Sequence, residues 1–248
     1  VTMCFRHSIA IAVLTTLCLQ ANAANEPITT WTFESPNTPP ELSNSAISPP
    51  ASASFGTGTA TGVHTNAATD WTNPAGNGSA ESFSANTWEV GNYWQFQTST
   101  TGFDDIGLYW EQTGSNTGPR DFQVQWSTDG TVFTPAGSVY QLVNASWSGN
   151  PDNRVVDISL YSLDLSSITA LDGAATAYFR LVDASTTAIN DGAVAVGGTS
   201  RVDNFSVVKD YQAPPPTPPR QLPIAGDLVF GLNHGSGART LELVRGGA

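Results

Sequence analysis

Through the middle of the chain, short runs place an apolar residue at every second position. Tyr93-Trp94-Gln95-Phe96-Gln97-Thr98, Ile106-Gly107-Leu108-Tyr109-Trp110-Glu111 and Phe122-Gln123-Val124-Gln125-Trp126 all alternate. That is the period of a strand buried on one side. Ile28-Thr29-Thr30-Trp31-Thr32-Phe33-Glu34 does the same nearer the start. Ser127-Thr128-Asp129-Gly130-Thr131 is a hairpin signal with Asp-Gly at its tip and Val132-Phe133 returning. Further strands are expected over 138–143, 154–160, 176–183 and 201–208, and 163–171 has room for a helical turn or two. Pro39, Pro40, Pro49 and Pro50 mark a long loop. Residues 51–87, rich in Gly, Ala, Ser and Thr, read as loops with short strands. Strands spaced by turns, with no intervening helices, predict an all-β fold, an antiparallel β-sandwich of jelly-roll-like layout.

Alternation also sorts the side chains by face. Trp94, Phe96, Ile106, Leu108, Trp110, Phe122, Val124, Trp126, Phe179 and Leu181 are the expected core. Tyr93, Gln95, Gln97, Tyr109, Glu111, Gln123, Gln125, Tyr178 and Arg180 fall on the opposite face. There they are either ordinary solvent-facing strand residues, a partner surface, or a polymer-binding sheet. Amides donate to and accept from sugar hydroxyls, and aromatic rings stack on pyranose faces. On the last reading Tyr93, Gln95, Gln97, Tyr109, Glu111, Gln123, Gln125 and Arg180 bind the ligand. Trp31, Trp94, Trp110 and Trp126 fit core positions, whereas Trp71, Trp88 and Trp147 sit in loop-like contexts and are the better candidates for exposed platforms.

The ends of the chain read differently. Arg6 and His7 precede an apolar run over 9–19 and the small-x-small triplet Ala21-Asn22-Ala23, which predicts a secretory signal over 1–23. The run is short for a bilayer span, so no membrane association is expected after cleavage. Cys4 and Cys18 both lie in this leader, so the mature chain is expected to have no disulfide and no thiol chemistry. The sandwich is assigned to 24–211. Ala213-Pro214-Pro215-Pro216-Thr217-Pro218-Pro219 makes 212–223 a stiff spacer. Residues 224–248, with one strand expected around 228–230, read as a partial second domain or a disordered tail.

Charge narrows the partners. The formal net charge is −12, and loss of Arg6 with the leader adds one more negative unit. Without a Lys/Arg cluster such a chain repels phosphate backbones, so nucleic acid is not an expected partner. Cations and glycans are not opposed. Catalytic signatures are missing: the histidines after the leader are His64 and His234, and there is no Gly-x-Ser-x-Gly elbow and no His-Glu-x-x-His. Gly56-Thr57-Gly58-Thr59-Ala60-Thr61-Gly62 has the wrong spacing for a dinucleotide loop. Glu34 closes the first strand and Asp203 opens the last. If those strands are neighbours, the two carboxylates can share a structural calcium ion; otherwise Asp203 pairs with Arg201 or Arg180.

Several motifs carry a family likeness. Gly76-Asn77-Gly78-Ser79-Ala80-Glu81-Ser82-Phe83-Ser84, Trp88-Glu89-Val90-Gly91-Asn92-Tyr93-Trp94, Ser115-Asn116-Thr117-Gly118-Pro119-Arg120-Asp121-Phe122, Ser127-Thr128-Asp129-Gly130, Tyr178-Phe179-Arg180-Leu181-Val182 and Arg201-Val202-Asp203-Asn204-Phe205 together resemble a module of exported bacterial surface proteins. Such modules occur with PEP-CTERM sorting tails and with extracellular nuclease-like domains, and their own function is unassigned. The likeness covers about 28–209. More loosely the layout is similar to jelly-roll carbohydrate-binding modules, some of which carry calcium between first- and last-strand carboxylates, as Glu34 and Asp203 would. No Pro-Glu-Pro motif and no nuclease domain is present here. The resemblance and the residues together imply a secreted or cell-surface, non-catalytic recognition module for carbohydrate or a cell-surface polymer. The alternatives are a structural or adhesion spacer, or an accessory domain of a larger secreted nuclease or hydrolase.

Overall fold

The alternating segments form strands in the computed structural model, which describes residues 25–212, 228–232 and 241–245. The expected leader, nearly all of the expected Pro-rich spacer and His234 lie outside the described residues. In chain order the strands are β1 (Glu26–Trp31), β2 (Leu42–Ser43), β3 (Ala51–Ser52), β4 (Gly58–Val63), β5 (Asp70–Thr72), β6 (Phe83–Ala85), β7 (Tyr93–Thr98), β8 (Gly107–Gly114), β9 (Asp121–Ser127), β10 (Thr134–Gln141), β11 (Leu160–Asp164), β12 (Ala177–Asp183) and β13 (Ser200–Lys209). Short 3-10 turns occupy Pro151–Asn153 and Thr169–Leu171. The expected strand at 154–160 is not there. That stretch runs irregularly over the outside of a sheet, and pairing begins only at Leu160.

Two antiparallel sheets face each other, as a jelly-roll-like sandwich requires. One has the order β11-β8-β13-β6-β5-β2, with β1 also paired to β13; the other has six strands in the order β10-β9-β12-β7-β4-β3. A separate unit after Gln212 contains β14 (Leu228–Leu232) paired antiparallel with β15 (Leu241–Arg245). The first and last strands of the sandwich are neighbours, with Glu26 opposite Lys209 and Trp31 opposite Phe205. Asn25 and Gln212 clasp each other: Asn25 Nδ2 donates to Gln212 O at 3.1 Å, and Gln212 N donates to Asn25 Oδ1 at 2.8 Å.

The expected core residues are buried, apart from Trp126, which is half-buried against the core. At the centre Phe96 and Phe205 stack face to face across the two sheets, 3.5 Å between centroids. Trp94 meets Phe83, Trp88 and Trp71 at 4.6, 5.1 and 5.5 Å. Trp71, Trp88 and Trp147, expected as exposed platforms, are all buried. Trp71 lies on β5 with its ring in the core, and loops bury the other two. His64, Trp71 and Trp88 cluster under the sandwich edge, and Trp147 lies over the Arg201 guanidinium on the outside of the β8–β13 sheet.

The Gly-rich stretch is a full strand, β4, in which small residues turn inward. A Cβ on Gly62 would lie 2.1 Å from the Trp71 ring, and one on Gly58 would lie 2.6 Å from Trp31. Trp71 is pinned by its indole N–H, which donates to Asn44 O at 2.7 Å. Gly62→Ala is therefore expected to cost about 1–3 kcal/mol by overpacking. The smaller ring in a Gly62→Ala, Trp71→Phe double variant should recover part of that loss. Urea melts of the four proteins check the coupling; additive losses would show that the ring yields freely.

A bulge in β13 sets the last part of the core. Register shifts between Asp203 and Ser206, and Asn204 has a positive φ of 49°. The extra residue lets Asp203 point outward while Phe205 and Val207 still face the core.

Candidate functional site: the open face of the six-stranded sheet

The outer faces of the two sheets are unlike. Over the β8–β13 sheet lie the irregular chain before β11 and the residues after Lys209. Tyr109 Oη donates to Gln212 O at 2.7 Å, its ring packs 5.6 Å from Tyr211, and burial raises its pKa to about 12. Glu111 is fully buried: Oε1 accepts from Arg154 Nε at 2.9 Å and Nη2 at 2.6 Å, and Oε2 accepts from Asn204 Nδ2 at 2.7 Å. Neither residue joins the expected ligand face. Alternation put them outside a sheet, but it is the covered sheet.

The remaining six residues do come together. Across β4, β7, β12, β9 and β10 the register aligns Thr61, Gln95, Arg180, Gln125 and Pro135 in one row. Thr59, Gln97 and Tyr178 form the row on one side, and Val63, Tyr93, Val182 and Gln123 the row on the other. Gln123 spends its amide on the strand edge, donating to Ala136 O at 2.8 Å and Val124 O at 2.9 Å where β10 bulges. Gln97, Gln125 and the Tyr93 and Tyr178 hydroxyls make no hydrogen bond to another described residue, so their polar groups are free for a ligand.

Arg180 occupies the middle of this face. Its Nε donates to Gln95 Oε1 at 2.8 Å. Its guanidinium carbon lies 3.9 Å from the Tyr93 ring centre and 3.4 Å from that of Phe133. Burial between the rings lowers its pKa from the usual arginine value. Phe133 reaches it because the β9–β10 hairpin folds over the sheet. Asp129 Oδ1 accepts from Thr131 N, Val132 N and Ser127 Oγ at 2.8–2.9 Å, which closes the tip. Gly130 has φ +71°, and a Cβ there would sit 2.9 Å from Tyr178 Cζ. Only glycine fits a left-handed residue pressed on a ring.

Hollows lie at both ends of β12. One of about 300 Å³ is lined by Thr57, Thr59, Gln97, Ser99 and Thr176 and continues the face. The other, of about 480 Å³, lies between Trp88, Val90, Asp183, Ser185 and Val194. Asp183 is 1% exposed, and its Oδ2 has no hydrogen-bond partner. Burial, with the Asp121 carboxylate nearby, raises its pKa to about 7.

The pair expected to hold calcium bonds to one loop at different points. Glu34 Oε1 accepts from Glu81 N at 2.8 Å; Asp203 Oδ2 accepts from Asn77 N at 2.9 Å and Ser79 Oγ at 2.8 Å. Neither Arg201 nor Arg180 forms an ion pair with Asp203 among the described residues. Desolvation raises the Asp203 pKa to about 7, with the Glu111 charge as a lesser cause. The one group of three carboxylates gathered within 4.8 Å among the described residues is Asp104, Asp105 and Asp210, which includes neither Glu34 nor Asp203. His64 offers no general base. It is wedged between Trp71 and Trp88, and desolvation lowers its pKa to about 3.

The sequence missed Thr59, Thr61 and Phe133 at this site. In β4 the inward residues are glycine and alanine, so a hydrophobic pattern is absent; the outward Thr59, Thr61 and Val63 carry the only period-two signal. Phe133 lies beyond the alternating run and reaches the face through the turn.

No protein-family model matches the chain, and no curated protein matches it. Among solved structures, the CBM22-1 xylan-binding domain of Paenibacillus barcinonensis Xyn10C is similar at 10% identity, over 78% of this chain and 100% of that one, with a TM-score of 0.42. TmCBM61 in complex with β-1,4-galactotriose is similar at 8% identity over 61% and 88%, TM-score 0.35. The K3 cleaved adhesin domain of Lys-gingipain from Porphyromonas gingivalis is similar at 13% identity over 74% and 100%, TM-score 0.38. At scores this low the likeness carries no argument about a ligand.

Proposed function

We propose that the sandwich is a non-catalytic, extracellular recognition module that binds carbohydrate on the open face of the six-stranded sheet. The observation that supports this reading is the unspent polar chemistry there. Gln97, Gln125 and two tyrosine hydroxyls are unengaged, around an arginine fixed between rings. Amides and hydroxyls of this kind exchange hydrogen bonds with sugar hydroxyls, and a half-exposed ring offers an apolar face to a pyranose. Secretion rests on the leader at 1–23.

The test is retention on soluble and insoluble polysaccharides. A Tyr93→Ala, Gln125→Ala variant is expected to bind about tenfold or more weakly, since each lost ring contact or hydrogen bond is worth roughly 1 kcal/mol. Tyr109→Ala is the control. It should lose some stability with the Gln212 contact and keep its affinity. Equal binding by the double variant, or no retention on any polymer, would remove the reading.

A calcium ion held by Glu34 and Asp203 is a separate proposal. Both offer carboxylate oxygens at one loop, the hard donors calcium takes, and a cation there would offset the burial of Asp203. With the ion bound, a chelator is expected to lower the melting temperature by several degrees through linkage. Identical melting with and without chelator would mean that the loop's own N–H and O–H donors suffice.

A further inference from the structure

We propose that the open face selects glycans bearing a carboxylate, and that Arg180 is the residue that reads it. The inference rests on the carbohydrate reading above and narrows it to acidic sugars. Elsewhere in the sandwich the cations are engaged. Arg120 pairs with Asp121 and Asp191, Arg154 with Glu111, and Lys209 with Glu26 and Asp210. Arg201 donates to Ala75 O and lies beside Asp203 and over Trp147. Arg180 has no carboxylate partner among the described residues, although the chain carries a net −12. A half-buried cation with no carboxylate of its own, in so acidic a molecule, is free to take one from a ligand.

The geometry then chooses the anion's shape. The guanidinium carbon is held within 4 Å of both the Tyr93 and Phe133 ring centres, and Nε is tied to Gln95. Among the described residues, the edge left without a protein acceptor is the pair of Nη groups. Two parallel N–H bonds from that edge match a planar carboxylate. The rings and Gln95 have already fixed the side chain, so little rotamer freedom is lost on binding. Thr61, Gln95 and Gln125 share its row, so the neighbours of the charged sugar meet amides and hydroxyls. Arg180 is on a central strand whose backbone is paired on both sides, which leaves an acidic peptide no strand edge to extend here. Polyanions with several charges on each unit are opposed by the net charge.

The test compares oligomers with and without the carboxylate charge. Trigalacturonate and a glucuronate-bearing xylo-oligosaccharide are titrated beside their carboxyl methyl esters, by calorimetry. At least one acid form is expected to bind wild type tenfold or more tightly than its ester, with the gap narrowing at high salt. Arg180→Gln should erase the gap and leave ester-level binding. Arg180→Lys, which keeps the charge and loses the fork, should lose most of it. Melting curves for both variants confirm folding. Equal binding of acid and ester, or binding of neutral oligomers alone, would overturn the inference and leave the carbohydrate reading standing. Binding of no glycan would overturn both.

Discussion

Trp94→Ala is expected to destabilise the sandwich by about 3–5 kcal/mol, the range for removing a large buried ring. Trp94 is fully buried on β7 and touches Phe83, Trp88 and Trp71, contributed by β6, the following loop and β5. Its removal opens a void that these rings cannot all refill, because Trp71 and Trp88 are held by indole N–H bonds to Asn44 O and Ala85 O. Trp94→Phe should cost less than half as much. The Trp94 indole nitrogen is buried without an acceptor, so phenylalanine removes an unsatisfied donor along with the volume. Chemical denaturation of the three proteins, with unchanged slopes, gives the comparison. A phenylalanine variant as unstable as the alanine one would show that the indole N–H is satisfied in solution.

The second large effect is a loss of stability as pH rises from about 4 to about 7. In the fold, burial keeps Asp183 and Asp203 protonated up to about 7, against 3.8 ordinarily. Over that interval the folded protein binds more protons than the unfolded chain, so stability is full below the ordinary value and drains away toward neutrality. Each shift corresponds to a ceiling of roughly 4 kcal/mol, which structural relaxation reduces. Asp121 acts the other way. Hydrogen bonds and the Arg120 charge hold its pKa down despite a desolvation penalty, so its contribution disappears in stronger acid. The melting temperature should peak near pH 4–5. Asp183→Asn keeps an acceptor for Ser185 N and should remove about half of the slope. Calcium, if Glu34 and Asp203 bind it, should remove the Asp203 share. A melting temperature that climbs from pH 5 to pH 8 would contradict the account.

The sequence was legible where one face was greasy and the other wet. β7, β9 and β12 alternate Trp, Phe, Val and Leu with Gln, Tyr and Arg. These strands carry most of the candidate site. Alternation tells which residues leave the core but not which sheet a strand joins. Tyr109 and Glu111 look like Gln95 and Gln125 in sequence, yet β8 pairs with β11 and β13, under a covering loop. The loop tryptophans were opaque for a related reason: Trp88 and Trp147 are buried by chain that has no periodicity of its own. In β4 the size of the Trp31 and Trp71 rings dictated glycine, which erased the usual signal.

The clasp between Asn25 and Gln212 brings the two ends of the sandwich out side by side, at the same end of the β1–β13 pair. A longer polypeptide can therefore carry this unit like a bead on a short loop, adding little to its reach while the bead stays folded. Tension drawn through the two ends would load the β1–β13 bonds one after another, like a zipper, because those bonds lie across the strands. Trp31 would be levered away from Phe96 and Phe205 as β1 peeled off. The open sheet meanwhile stands apart from that seam, so the first strand to give way is not one that forms the proposed binding face.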